Sequence, residues 1–280
     1  MRLVLFVLAL IMMPIAACAA PPKDFRAEMI ARLAKLMPGA TLSADPDDPL
    51  VILIKGGDWD EGAINLHRIE GYCRQASARD CETTKAEFVA NVSHKPAKAT
   101  PASLRLIVRD RDYKDYVDDV SKKNPEKGDF ATYRQIGENL FVFLAADSKE
   151  AIALVGDTTL KELGLTADQA WALAQTQTRA ILPPLPDAKQ LAKAATAYQD
   201  QEYLASLLVD LPAWEAIAAK VGPDLFVTAV SDQFVFVGTM PDGPKLSDFR
   251  KTVAEDCRAQ QRCVSPNIYR FRGGQWVIAK

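Results

Sequence analysis

The chain has 280 residues, of which 49% are hydrophobic and 25% are charged, a composition typical of globular proteins. This composition excludes collagen-like, low-complexity and disordered proteins. Lysine and arginine together number 34 against 36 aspartates and glutamates, so the formal net charge is −2. A chain of this charge has no long-range attraction for nucleic acid, and we expect no nucleic-acid partner.

The N-terminus predicts export. A single arginine precedes an apolar stretch over residues 3–13, and the run Ile-Ala-Ala-Cys follows at residues 15–18. A positive charge, an apolar core and a cleavage region of small residues are typical of a secretory signal. Residues 1–19 are therefore predicted to be a leader. No later segment of comparable length is free of charges.

The run at residues 15–18 resembles a bacterial lipobox. This resemblance implies cleavage before Cys18 and a multi-acyl lipid on that cysteine, so the membrane becomes a partner through the N-terminal lipid. Two alternatives stay open. Residues 17–19 could serve as an A-x-A cleavage site for simple secretion. The leader could also remain as an anchor, although residues 3–20 barely reach the length that spans ~30 Å of hydrocarbon, and Pro14 interrupts them.

The other four cysteines are predicted to form two disulfides, because an even number of cysteines in an exported chain favours pairing. Each neighbouring pair flanks a short polar segment, which indicates two local bridges, Cys73–Cys81 and Cys257–Cys263. Each bridge closes a small loop and is expected to contribute about 2–3 kcal/mol. The spacing within each pair is wider than zinc sites use, and no metal is predicted.

Residues 24–182 are predicted to form an N-terminal α+β region. The spacing of apolar residues predicts helices at 24–37, 63–74, 82–92 and 112–120. Apolar runs predict strands at 50–54, 104–108, 140–145 and 151–155. Thr166 and Gln169 form a capping box that begins a helix ending at Ile181.

Residues 183–201 are rich in proline, alanine and lysine, which indicates a linker or an extra helix at a domain boundary. Residues 202–280 then follow an α/β/β/α/β/β order, with a two-residue hairpin at Gly273-Gly274. The whole chain is predicted to be an α+β protein of two subdomains, with mixed, mostly antiparallel sheets and packed helices.

Several of these segments together resemble an uncharacterised bacterial family, the YtpQ-like domain of unknown function. They are residues 64–66, the helix with Cys73, 104–108, 140–147, 160–165, 203–208, Trp214 and the strand pair around Asp232. The resemblance covers most of residues 25–280 and implies a fold, but no activity, because the family has none assigned. The chain departs from the family in its export signal, in its cysteine pairs and in having Ser231 where the family has arginine.

The sequence assigns no catalytic residue and no cofactor. It lacks the nucleophile elbow, the phosphate-binding loop, the zinc-protease helix and the dinucleotide fingerprint. Charged residues in exposed-looking loops and strand ends are the candidates for binding. They are Asp58, Asp60, Arg109, Asp147 and Asp232. The acidic run at 58–61 offers three carboxylates but lacks the EF-hand pattern, and Arg109 could clamp an anion.

Two functional hypotheses follow. The first is a lipid-anchored module on the periplasmic side of the cell envelope, or a soluble exported one, that binds an envelope protein or polymer without catalysis. The alternative is an envelope hydrolase that uses carboxylates near Asp58 and Asp60 or near Asp147. The hydrolase hypothesis predicts a concave pocket where at least two acids and an arginine converge.

Overall fold

The computed structural model describes residues 24–57, 59–94, 98–123, 125, 128–148, 152–259 and 263–280, without the side chains of Asp60 and Glu61. The chain divides into two compact units, the first as far as Lys95 and the second from Pro96 onward. Helices pack on three mostly antiparallel sheets in this part of the chain, which confirms the predicted α+β class.

The first unit consists of a helix, a three-stranded antiparallel meander and a helical hairpin. Its elements are α1 (Phe25–Leu36), β1 (Thr41–Ala44), β2 (Val51–Gly56), β3 (Trp59–Asn65), α2 (His67–Cys73) and α3 (Ala78–Ser93). The Asp24 side chain caps α1 by accepting a hydrogen bond from the Ala27 amide. Met29 and Leu33 lie one turn apart on α1 and are fully buried against the meander, which fixes the helix on the sheet.

The predicted helix at 63–74 is wrong in its first turn. Residues 63–65 belong to β3, where Ala63 pairs with Leu53 and Asn65 pairs with Val51. Pairing with β2 satisfies these backbone groups and overrides the helical spacing. The helix begins only at His67, and most of the acidic run predicted as a loop lies in β3 instead.

The second unit begins with a four-stranded sheet. Its elements are a 3-10 turn (Pro101–Ser103), β4 (Leu104–Asp110), α4 (Arg111–Lys123), β5 (Tyr133–Gln135), β6 (Leu140–Asp147), β7 (Ile152–Leu154), α5 (Asp157–Leu163) and α6 (Ala167–Ile181). Strand β6 pairs with β4 along one edge and with β5 and β7 along the other. The predicted capping box begins α6, with Thr166 and Gln169 exchanging hydrogen bonds.

The remainder of the second unit is built on a five-stranded antiparallel sheet in the order β12-β11-β9-β10-β8. Its elements are α7 (Ala188–Leu191), β8 (Thr196–Gln199), a 3-10 helix (Leu204–Val209), α8 (Leu211–Val221), β9 (Leu225–Ser231), β10 (Phe234–Thr239), α9 (Pro244–Ala259), β11 (Ile268–Arg272) and β12 (Gln275–Ile278). The β11–β12 hairpin turns at Gly273 and Gly274, as predicted.

In the chain, the division between the two units falls after residue 95, whereas the sequence analysis predicted a boundary at 183–201. That segment carries α7 and the edge strand β8, which pairs with β10. One hydrophobic core contains Trp171 from before the segment together with Trp214 and Trp276 from after it. The segment therefore belongs to the second unit, because residues on both sides of it bury apolar surface against each other.

A buried seam joins β4 to the C-terminal part of the second unit. The Leu106 amide donates to Thr178 Oγ1 at 2.8 Å, and Ser206 Oγ donates to the Leu106 carbonyl at 2.7 Å. These side chains satisfy backbone groups that a neighbouring strand would otherwise pair. The outer edge of β4 is thus covered by α6 and by the 3-10 helix.

The structure contains both predicted disulfides, one within each unit. Cys73–Cys81 joins α2 to α3, and Cys257–Cys263 joins the end of α9 to the segment before β11. Cys73 and Cys257 are buried in hydrophobic clusters. Disulfides are typical of proteins in oxidising compartments. Among the described helices, none has the length and apolar character needed to cross a membrane.

Candidate functional site

The structure pairs two of the predicted binding residues. Arg109, near the end of β4, donates from Nη1 to Asp232 Oδ1 in the β9–β10 turn at 2.7 Å. Both side chains are almost buried, with 13% and 14% exposed. The same Nη1 donates to the Val108 carbonyl, and the guanidinium lies 5.7 Å from the centre of the Tyr113 ring.

The partners of Arg109 and Asp232 give this pair a structural role. The Asp232 carbonyl accepts a hydrogen bond from the Leu204 amide at 2.7 Å, at the start of the 3-10 helix. The pair therefore extends the seam between β4 and the C-terminal part of the unit. An anion could bind Arg109 only by displacing Asp232, so the predicted anion clamp is occupied by a carboxylate of the chain itself.

Asp147 lies apart from this pair. It is the last residue of β6, whereas Arg109 pairs with Phe141 near the other end of that strand, roughly 20 Å away along the backbone. Asp147 lies instead beside Tyr203, a buried residue with a left-handed backbone conformation. Burial raises the pKa of Tyr203, and the nearby Asp147 carboxylate raises it further.

A cleft of about 460 Å³ lies elsewhere in the second unit, within the size range of small-ligand sites. The C-terminal half of α4, the β5 segment and the first residues of α5 and α6 form its walls. Its lining residues are Asp118, Ser121, Lys122, Asp129, Ala131, Thr132, Tyr133, Asp157 and Ala167. Three carboxylates from separate elements thus face one depression together with an ammonium group and hydroxyl groups.

Asp118 is the best-defined carboxylate of the cleft. It accepts hydrogen bonds from the Tyr133 hydroxyl and from Lys114 Nζ, each at 2.7 Å. The Lys114 bond is the main cause that lowers the pKa of Asp118. Burial, and then the bond to Asp118, raise the pKa of Tyr133. At neutral pH the cleft therefore presents an ionised Asp118 beside a protonated Tyr133.

Backbone packing holds the opposite wall of the cleft. The Asp157 carboxylate accepts a hydrogen bond from the Asp129 amide at 3.3 Å, and the Asp157 amide donates to the Asp129 carbonyl at 3.0 Å. Gly156 lies so close to the Asp129 carbonyl that a Cβ atom would overlap it. The absence of a side chain at Gly156 is therefore a requirement of this wall.

The sequence did not predict this cleft. Of the predicted binding residues whose side chains the structure describes, Arg109, Asp147 and Asp232 do not line it, and no arginine is among its described lining residues. Asp58 lies outside the described residues, and Asp60 contributes only its backbone to β3 of the first unit. The dense charge alternation of α4 was the one available signal, because Asp118 and Lys122 both belong to that helix.

The histidines make local contacts. His67 Nε2 lies 2.8 Å from Asp48 Oδ2, and His94 Nδ1 lies 2.5 Å from the Ala90 carbonyl. Over the ranges that the structure describes, no group of three or more His, Cys, Asp or Glu residues is arranged to hold a metal ion. No family model, curated protein or solved structure matches this chain. The resemblance to the YtpQ-like family therefore stays a prediction from the sequence.

Proposed function

We propose that this protein is exported, anchored to the cell envelope by a lipid on Cys18, and acts as a non-catalytic module that binds another envelope component. The observation that carries the proposal is the pair of disulfides, one in each compact unit. Disulfides form and persist outside the reducing cytosol. The leader would direct the chain to export, and its lipobox-like end would supply Cys18 for the lipid anchor.

The contacts of Asp118 suit a binding role for this carboxylate better than a general-acid role. A carboxyl group that acts as a general acid needs a raised pKa, whereas the pKa of Asp118 is lowered. Lys114 and Tyr133 hold this carboxylate in place as a fixed hydrogen-bond acceptor. A rigid acceptor surrounded by hydroxyl groups and Lys122 suits a polar ligand or a polar surface of a partner.

Membrane fractionation of a Cys18→Ser variant tests the anchor. Without the thioether-forming sulfur the chain cannot carry the lipid, so the variant should leave the membrane fraction, while a Met13→Leu control in the same leader should stay there. Membrane retention of Cys18→Ser equal to that of the control would overturn lipid anchoring.

Site-specific photo-cross-linking in intact cells tests the binding surface. A photoreactive residue at Lys122, in the cleft, should give a discrete adduct with an envelope component. The same residue at Lys251, which is exposed on α9, should not. Equal adducts at both positions, or none at Lys122, would contradict binding through the cleft.

One observation favours the hydrolase as a second candidate, because three carboxylates from separate elements share the cleft. The arginine that the hydrolase hypothesis required is not among its described lining residues, and Asp147 lies elsewhere. Hydrolysis of an envelope polymer by the purified protein, abolished by Asp129→Asn and unchanged by Asp119→Asn, would replace the binding proposal with this one.

A further inference from the structure

The Cys257–Cys263 disulfide reaches the end of β9. Cys257 is buried near the end of α9, where it packs in a cluster with Val230 and Val253. Cys263 forms an isolated antiparallel bridge with Ser231, the last residue of β9. The sulfur link therefore ties the C-terminal end of a helix to a short strand extension along β9.

From β9 the contacts continue to the seam. The Val264 amide donates to Val230 at 2.8 Å, and the Ser265 amide donates to Ala229 at 3.1 Å. The residue after Ser231 is Asp232, whose carboxylate binds Arg109 and whose carbonyl accepts the Leu204 amide. Ser231, which pairs with Cys263, therefore directly precedes Asp232, which binds Arg109 of β4.

We propose that the Cys257–Cys263 disulfide is a redox-sensitive brace for the seam. When the bridge is closed, it keeps residues 263–265 against β9 and so fixes Asp232 for Arg109 and Leu204. When the bridge is open, residues 263–265 are held against β9 only by the backbone hydrogen bonds of Val264 and Ser265. These bonds then open more often, and the turn at Asp232 loosens. The seam is therefore rigid only in the oxidised protein. This inference goes beyond the proposed binding function.

The chemistry of closure is a two-electron oxidation. The Cys257 and Cys263 thiols lose two protons and two electrons and gain one S–S bond. The S–S bond of a disulfide-donating oxidant of the envelope breaks, and its two sulfurs take up the electrons and the protons as thiols. In solution, an excess of dithiol reverses the step and becomes a cyclic disulfide itself. The two bridged cysteines are only six positions apart in the sequence, so the effect of the bridge should be concentrated on the segments that it touches.

Amide hydrogen exchange on the full chain tests the brace. In a Cys257→Ser/Cys263→Ser variant the Ser265 and Leu204 amides should exchange faster by about tenfold, because the bridge no longer restricts local opening of this segment. The Leu53 amide in the first unit should not change. A Cys73→Ser/Cys81→Ser variant is the matched control and should leave Ser265 and Leu204 unchanged.

Unchanged exchange at Leu204 in the Cys257→Ser/Cys263→Ser variant would overturn the brace. Equal acceleration at every amide of the second unit would also overturn it, since that result indicates a general loss of stability. If the variant does not fold, the Cys73→Ser/Cys81→Ser protein, which keeps the Cys257–Cys263 bridge, is reduced with excess dithiol and the same amides are followed. Unfolding of this reduced protein would contradict a local brace as well.

Discussion

Arg109 and Asp232 are 123 positions apart in the chain and form an ion pair at 2.7 Å. Arg109 belongs to the four-stranded sheet, and Asp232 belongs to the turn between two strands of the five-stranded sheet. The pair therefore links two sheets of the second unit at a site that is almost closed to solvent. Its main consequence is for stability, because an unpaired charge at this site would remain without full hydration.

Removal of one partner should be costly. Arg109→Gln leaves the Asp232 carboxylate poorly solvated and should lower the free energy of unfolding by about 2–4 kcal/mol in urea titrations. The double variant with Asp232→Asn should recover part of this loss, because no lone charge remains. Lys251→Gln, which breaks an exposed pair with Asp248, should change stability by less than about 1 kcal/mol. Strictly additive effects of the two substitutions at the seam would refute the pairing.

Gly137 should not tolerate a side chain. It bridges to Trp276, where the Trp276 amide donates to Ile136 and the Glu138 amide donates to the Trp276 carbonyl. A Cβ atom at Gly137 would overlap that carbonyl, so Gly137→Ala should destabilise the protein by about 2 kcal/mol or more.

Gly71 is the matched control for Gly137. It lies in α2, and a Cβ atom there meets no neighbouring heavy atom within 4 Å. Gly71→Ala should therefore stabilise the protein by up to about 1 kcal/mol, because alanine favours the helix. Thermal unfolding of both variants measures the difference, and a melting temperature for Gly137→Ala at or above that of the wild type would show that the contact with β12 is not close.

A buried lysine should make the first unit sensitive to acid. Lys85 contacts Glu28 of α1 at 2.7 Å and also contacts Glu82 on its own helix, and Arg32 binds the same two glutamates. The bonds from Lys85 and then from Arg32 lower the pKa of Glu82 below its ordinary value of 4.5. The resulting stabilisation is present above that value and disappears as pH falls through the lower pKa of the folded state.

Urea unfolding of the first unit between about pH 6 and pH 3 measures this effect. The wild type should lose stability over this interval, and Glu82→Gln should reduce the loss by a small amount, because Glu82 is half exposed and screened by solvent. Glu87→Gln, at an exposed position of the same helix, is the control and should retain the wild-type profile. Identical profiles for the two variants would contradict a specific role of Glu82.

Local patterns predicted much of the fold. The capping box at Thr166, the hairpin at Gly273-Gly274 and the four-residue spacing in α1 each act between residues close in sequence. The errors arose where distant segments decide the structure. Pairing with β2 converts the predicted start of a helix into β3. Pairing with β10 places β8 in a segment predicted as a linker or an extra helix, and that segment also contains the short helix α7.

The candidate site was less accessible to prediction for the same reason. The partner of Arg109 is a residue of another sheet, and the cleft residues Asp118, Asp129 and Asp157 meet only through the packing of three elements. Composition and spacing cannot show which of these residues pair, since the chain has 36 acidic residues from which many pairs could form. The disulfides were predictable, because each joins neighbouring elements.

The intact mass of the protein recovered from cells, measured without reductant and again after reduction, tests the central claim most directly. We predict a chain that begins at Cys18, carries the mass of the attached lipid, and gains four hydrogens on reduction as its two bridges open. A full-length chain of 280 residues with five free thiols would contradict export, anchoring and the oxidised fold together.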